Sequence, residues 1–306
     1  MFYIQINPQS LVLQSENHQV EILPFGAILN QFSIKKQYDS WINVIAAFAD
    51  ENQARSQITN GFRSAKLSPF ACRLNESRYV FEKTEYVCKK YVLNGHTIHG
   101  LMYNFDFSIQ NHGADEQSAW VELLANYTQD NLGFPFEYQL FVKYILDTTG
   151  LTIETTATNT GKRAMPLADG WHPYFTLGGK VDDWYLQINS TQMIEFDENL
   201  LPTGKMLPES RFQTAESLQN VFLDNSFVLN NQTDVSCILQ NDDFILQIFA
   251  QQNYPYLQIY IPPERDCVAI ENLSGAPDCF NNGLGLTILQ AAESKTFITK
   301  YTLNVK

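Results

Sequence analysis

The chain of 306 residues carries 33 Asp and Glu against 20 Lys and Arg, a formal net charge of -13. No Lys/Arg cluster is interleaved with aromatics, so nucleic acid is not an expected partner. Hydrophobic residues at 44% and aromatics at 13%, with 21 Phe and 15 Tyr, allow a substantial core and favour strands over disorder. No apolar window approaches the roughly 20 residues of a membrane span, and the opening MFYIQINPQS shows no basic segment followed by an apolar one. A membrane is therefore not expected as a partner either, and the cytoplasm is the default location.

In chain order, the segments read as strands are NQFSIKK (30–36), SRYVFEKTEYVCKKYVLN (77–94), SAWVELLANY (118–127), FEYQLFVKYIL (136–146), LTIETTATN (151–159), DFILQIFAQ (243–251), YLQIYIPP (256–263) and KTFITKYTLNV (295–305). In LTIETTATN the alternation places Leu151, Ile153, Thr155 and Ala157 on one face and Thr152, Glu154, Thr156 and Thr158 on the other. DTTG before it supplies hairpin chemistry. No long stretch combines a 3.6-residue apolar period with caps, so helices should be few and short. No linker or fixed-period repeat divides the chain, which predicts one domain over 1–306: an all-β, large antiparallel β-sandwich with its functional groups on one face or at strand ends.

The five cysteines, Cys72, Cys88, Cys237, Cys267 and Cys279, have no zinc-ligand spacing and read as reduced thiols. The sequons at Asn126 and Asn272 are expected by chance in an Asn-rich chain.

Against that scaffold DGWHPYFTLGG (169–179) stands out. Pro173 fixes its own backbone and biases His172 towards extended geometry, which suits a positioned acid or base; a partly buried structural histidine is the alternative. Four further stretches combine polar groups with turn residues. In SPFACRL, Arg73 is either a fork for ligand hydroxyls or a salt-bridge partner. In GHTIHGLMYNFDF, His96 and His99 have HxxH spacing, but positions three apart on a strand face opposite ways and no third metal ligand stands nearby, so no metal site is expected. Asp224 in LDNSFVL reads by itself as a turn aspartate. Glu271 ends the apolar run CVAI and opens a turn-rich loop, where partial desolvation would raise its pKa towards a general base.

Taken in order, LPFGAILNQFSI, SPFACRL, IHGLMYNF, LTIETTATNTGKRAMPLADGWHPYFTLGG, LDNSFVL and IENLSGAPDCFNNGLGLTILQAAESKTFITKYTL resemble the aldose 1-epimerase, or galactose mutarotase, family. The resemblance covers most of the chain and implies a galactose mutarotase-like supersandwich that interconverts the anomers of a free aldose without a cofactor. It further implies that His172 is the general acid, that Glu271 is the general base, and that Arg73, His99 and Asp224 hold the sugar hydroxyls. Trp171 and Tyr174 are candidates for stacking on the sugar, or else core aromatics.

The chain departs from better-known galactose mutarotases in having Trp171 before His172, where they tend to have Asn, and HGLMYN after Ile98, where they have paired glycines. The expected partner is accordingly a small sugar, a hexose or related aldose, free or phosphorylated. Two rival readings are a sugar-binding or regulatory protein on the same fold and a glycoside hydrolase using Asp224 and Glu271 as its two carboxylates.

Overall fold

The computed structural model describes residues 1–36, 40–128 and 133–306. It is built from antiparallel sheets, with two helices among the described residues, Glu51–Gln57 and Cys279–Asn282. The largest sheet has nine strands, in the order Ser108–Ala114, Ser118–Thr128, Glu137–Asp147, Gly150–Asn159, Ser294–Val305, Phe244–Gln252, Cys237–Gln240, Tyr185–Ile188 and Glu216–Ser217. Strict alternation makes one face of this sheet apolar: in Glu137–Asp147 every second residue is buried, and in Gly150–Asn159 the predicted inner set of Leu151, Ile153, Thr155 and Ala157 is the buried one. The expected hairpin joins these two strands, with Asp147 opposite Gly150 and the Thr149 N–H donating to Asp147 Oδ1 at 2.6 Å. Gly150 has φ 136, and a Cβ there would lie 2.3 Å from the Tyr301 carbonyl oxygen, so only glycine fits.

An eight-stranded sheet faces it. Its order is Pro202–Pro208, Ser190–Phe196, Asp224–Leu229, Tyr256–Tyr260, Val268–Leu273, Gly170–His172 and Ala65–Leu67, with Tyr174–Phe175 also paired to Val268–Leu273. The two large sheets touch through Phe175 and Tyr301, 5.5 Å apart and edge-on, and through Asn272 Nδ2, which donates to Thr299 Oγ1 at 2.5 Å. One continuous apolar cluster runs from Phe2 to Leu303 through both. A five-stranded sheet, Tyr3–Ile6 to Trp41–Asn43, joins this cluster, with Tyr144 Oη donating to the Ala27 carbonyl at 2.6 Å.

One segment is broken up more than its strand-like composition suggests. Residues 77–94 form three short strands, Arg78–Phe81, Thr84–Val87 and Val92–Leu93, because Glu82 and Lys83 take φ of 49 and 66 and close a tight turn. The helix Glu51–Gln57 starts at Asp50, whose Oδ1 accepts from the Gln53 N–H at 2.8 Å. Its apolar side, Ala54 and then Ile58, is buried, which sets the loop 59–62 at the rim described next.

Candidate active site

A cleft of about 370 Å³ opens on the outer face of the eight-stranded sheet, the side away from the nine-stranded one. The ladder explains which side chains reach it. Asp224 pairs with Tyr260 and Ser226 with Gln258; Gln258 pairs with Glu271 and Tyr260 with Ala269; Ala269 pairs with Tyr174. Opposed residues share a face, so Asp224, Gln258, Tyr260, Glu271 and Tyr174 all point into one space. His172 joins them from the next strand. Arg73 and His99 come from across the cleft, where Arg73–Leu74 pairs with His96–Ile98.

All five residues singled out in the sequence, Arg73, His99, His172, Asp224 and Glu271, line this cleft. His172 Nε2 stands 3.3 Å from Glu271 Oε1, and both side chains are buried. Tyr174 stacks on the His172 ring at 5.1 Å and His99 meets it edge-on at 4.9 Å. Glu271 Oε2 has no hydrogen-bond partner among the described residues, although it is buried.

Two expectations need correction, those for Glu271 and Asp224, and the choice left open for Trp171 falls to the core. Glu271 does not leave its strand: Val268–Leu273 continues past it and is buried throughout, so its desolvation comes from the sheet rather than from a loop. Trp171 turns to the opposite face and packs in the core, at 2% exposure, so it is not a platform for a ligand. Asp224 is the first residue of a strand, not a turn, and its Oδ1 accepts from Gln258 Nε2 at 2.7 Å. As for Arg73, its guanidinium forms no salt bridge among the described residues.

His96 and His99 separate as expected, but by a different device. The strand His96–Ile98 ends before His99, which takes φ 61. This left-handed conformation is uncommon for a residue other than glycine and turns the ring into the cleft, against Phe62 at 4.7 Å. His96 is buried elsewhere, its Nδ1 accepting from the Glu76 N–H at 3.1 Å. Donor atoms of His99, His172 and Glu271 do gather within 4.8 Å. The positive charge of Arg73, felt by both His99 and Glu271, opposes a cation at that point.

Electrostatics follow from burial. Desolvation pushes Glu271 well above the usual carboxylate range, and the Asp224 charge adds to this while Arg73 opposes it. Burial lowers His172 to about 4. Burial thus favours the neutral form of each member, and a protonated carboxyl beside a neutral imidazole holds the same number of protons as a carboxylate beside an imidazolium. Burial also raises Asp224, against the pull of Arg73 and Gln258.

Gln258 was not singled out from sequence. Its amide bridges Ser226 Oγ and Asp224 Oδ1 and is 5% exposed. The available signal was alternation in YLQIYIPP, which sets Gln258 on the same face as Tyr260.

The family model described as Aldose 1-epimerase matches residues 9–302. The uncharacterized protein YihR of Escherichia coli K12 is 26% identical over 246 residues, covering 74% of each chain. Galactose mutarotase of Sus scrofa is 24% identical over 201 residues, 64% of this chain and 56% of that one. A crystal structure of a galactose mutarotase-like protein from Clostridium acetobutylicum superposes with a TM-score of 0.86 at 17% identity, covering 100% of this chain and 99% of the other, a likeness of fold.

Proposed function

The chain belongs to the aldose 1-epimerase family, and from that premise we propose that it is itself a mutarotase that interconverts the α and β anomers of a free hexose or related aldose. The observation that carries this reading is the 3.3 Å contact of His172 Nε2 with Glu271 Oε1 at the base of an open cleft. Anomer exchange must deprotonate the anomeric hydroxyl O1 and protonate the ring oxygen O5, and both oxygens sit on C1. Acid and base must therefore stand side by side.

Glu271 as carboxylate takes the proton of O1–H while His172 as imidazolium gives one to O5; the C1–O5 bond breaks and the open aldehyde forms. Rotation about C1–C2 presents the other carbonyl face. On closure O5 attacks C1, its proton returns to His172, and Glu271 returns one to O1. The sugar's hydroxyls supply the polar surroundings that favour the ionised arrangement of the pair over the neutral one. Arg73, His99 and Asp224 hold the remaining hydroxyls, and Tyr174 offers the aromatic surface that Trp171 does not.

The five cysteines are buried and none forms a disulfide with another, in keeping with work in the reducing cytoplasm. Among the described residues no helix is long and apolar enough to cross a membrane. The test is a panel of free and phosphorylated aldoses followed by NMR exchange between anomeric protons. Acceleration of at least one supports the reading. Saccharide binding with no acceleration for any would instead make the protein a sugar-binding relative.

A further inference from the structure

Behind the cleft, on the core face of the same sheet, lies a buried ionic cluster that the proposed reaction does not use. Lys66 and Asp169 are each 0% exposed, and Lys66 Nζ is 2.5 Å from Asp169 Oδ1. The ammonium also donates to the Gly170 carbonyl at 3.0 Å and stands 4.2 Å from the centroid of the Trp171 ring. Asp169 Oδ1 accepts a second bond from Tyr254 Oη at 2.7 Å. Ser274 holds the aspartate's backbone on both sides: its Oγ accepts from the Asp169 N–H and its N–H donates to the Asp169 carbonyl, both at 2.8 Å.

Taking two charges out of water is expensive, and a well-packed apolar pair of similar volume is often as stable or more so. Stability alone is thus a poor reason for this pair. What it supplies that apolar contacts lack is direction. Lys66 lies opposite Trp171 in the ladder, which sets Ala65 opposite His172. On the other side the ladder is interrupted: Gly170 meets Leu273, a single backbone bond runs from the Ile270 N–H to the Pro173 carbonyl at 3.2 Å, and paired residues resume where Tyr174 meets Ala269. Glu271 occupies the gap between those two points. At His172 itself the Ala65–Leu67 side holds the backbone, with Ala65 opposite it in the ladder and the Ser64 N–H donating to its carbonyl at 2.8 Å, and Lys66 ties that edge to residues 169–171.

We propose that Lys66 and Asp169 are positioning residues for His172, their ion pair fixing the Gly170–His172 strand on Ala65–Leu67 and so setting the separation of His172 from Glu271. A misplacement of about 1 Å at a reacting group can cost about 100-fold in rate. The proposal rests on the mutarotase reading of the cleft, but its test includes a readout that needs no turnover.

Two full-length variants decide it. Asp169→Asn keeps the shape and removes the charge; the double variant Lys66→Met, Asp169→Leu replaces the pair with apolar groups. Each is measured for Tm, for kcat and KM on the best sugar, and by NMR with 15N-histidine labelling, the His172 signals being assigned with His172→Asn. Both variants should lose about 10- to 100-fold in kcat with KM nearly unchanged, their His172 ring signals should shift, and the double variant should melt at or above the wild type. Wild-type kcat in the folded variants, or unmoved His172 signals, overturns the proposal. Should the double variant not fold, Asp169→Asn decides by the same readouts. Should the wild type accelerate no sugar, the mutarotase reading fails, and the His172 signals alone decide whether the pair positions the ring.

Discussion

Gln258 sits directly across the ladder from Glu271 while its amide nitrogen holds Asp224 Oδ1 at 2.7 Å. One neutral side chain thus spaces the two acidic residues of the cleft and holds Asp224 at its lining.

Replacing Gln258 with Leu should therefore act on binding. Asp224 loses its donor, and a hydrogen bond to a charged group contributes about 1.5–3 kcal/mol, so KM should rise about 10-fold or more while kcat changes less. Steady-state anomer exchange with a varied sugar concentration measures this. A kcat loss at constant KM would mean that Gln258 serves Glu271 instead.

Removing either member of the proton-transfer pair should cost at least about 100-fold in kcat. Glu271→Gln keeps the size of the base and His172→Asn removes the acid. The double variant should be far less than multiplicatively worse, since both groups act on one step. Sugar affinity, read by calorimetry, should fall much less than the rate because Arg73, His99 and Asp224 remain. Near-wild-type exchange in either single variant would return His172 to a structural role.

How much of this was legible beforehand depends on what each signal encodes. The strands Glu137–Asp147 and Gly150–Asn159 were readable because each buries one face only, and a period of two survives in the sequence. Glu271 was misplaced at a strand end because Val268–Leu273 is buried on both faces, so its polar Glu and Asn read as the start of a loop. Trp171 and Lys66 were opaque for a related reason: nothing in a local window tells that an ammonium buried on the core face of its sheet will find Asp169. His99 was placed off the His96 side by strand alternation, whereas the structure does it with one left-handed residue, a backbone state that sequence does not announce for histidine.

That difference between the two histidines can be measured. His96→Ala removes an acceptor for the Glu76 N–H outside the cleft, so turnover should stay within a few-fold while Tm falls slightly, a lost hydrogen bond contributing about 1 kcal/mol. His99→Asn tolerates the left-handed backbone and should keep Tm nearly unchanged, yet raise KM. Thermal melts paired with exchange kinetics separate the two patterns. A large activity loss in His96→Ala would mean that the Glu76 turn shapes the cleft.

The pH dependence follows from the proton shared by His172 and Glu271. The competent state holds one transferable proton between them, counted alike whether it is drawn on the carboxyl or on the imidazole. Going down in pH, the next proton goes to His172, which burial has lowered to about 4; activity should therefore fall below that value, where imidazolium and protonated carboxyl coexist and no base remains. Going up, the shared proton itself is lost, and burial holds it on the pair to well above the usual carboxylate range. Activity should then decline on the alkaline side as the acid disappears. The resulting bell in kcat/KM reports two macroscopic constants of the pair rather than one for each residue. Replacing Asp224 with Asn takes away a negative charge that raises Glu271, so the alkaline limb should move to lower pH, while the acid limb stays nearly in place because burial alone is what lowers His172. Exchange rates measured across pH for wild type and Asp224→Asn give both limbs, and an alkaline limb that moved upward would show that Asp224 does not act on the pair through its charge.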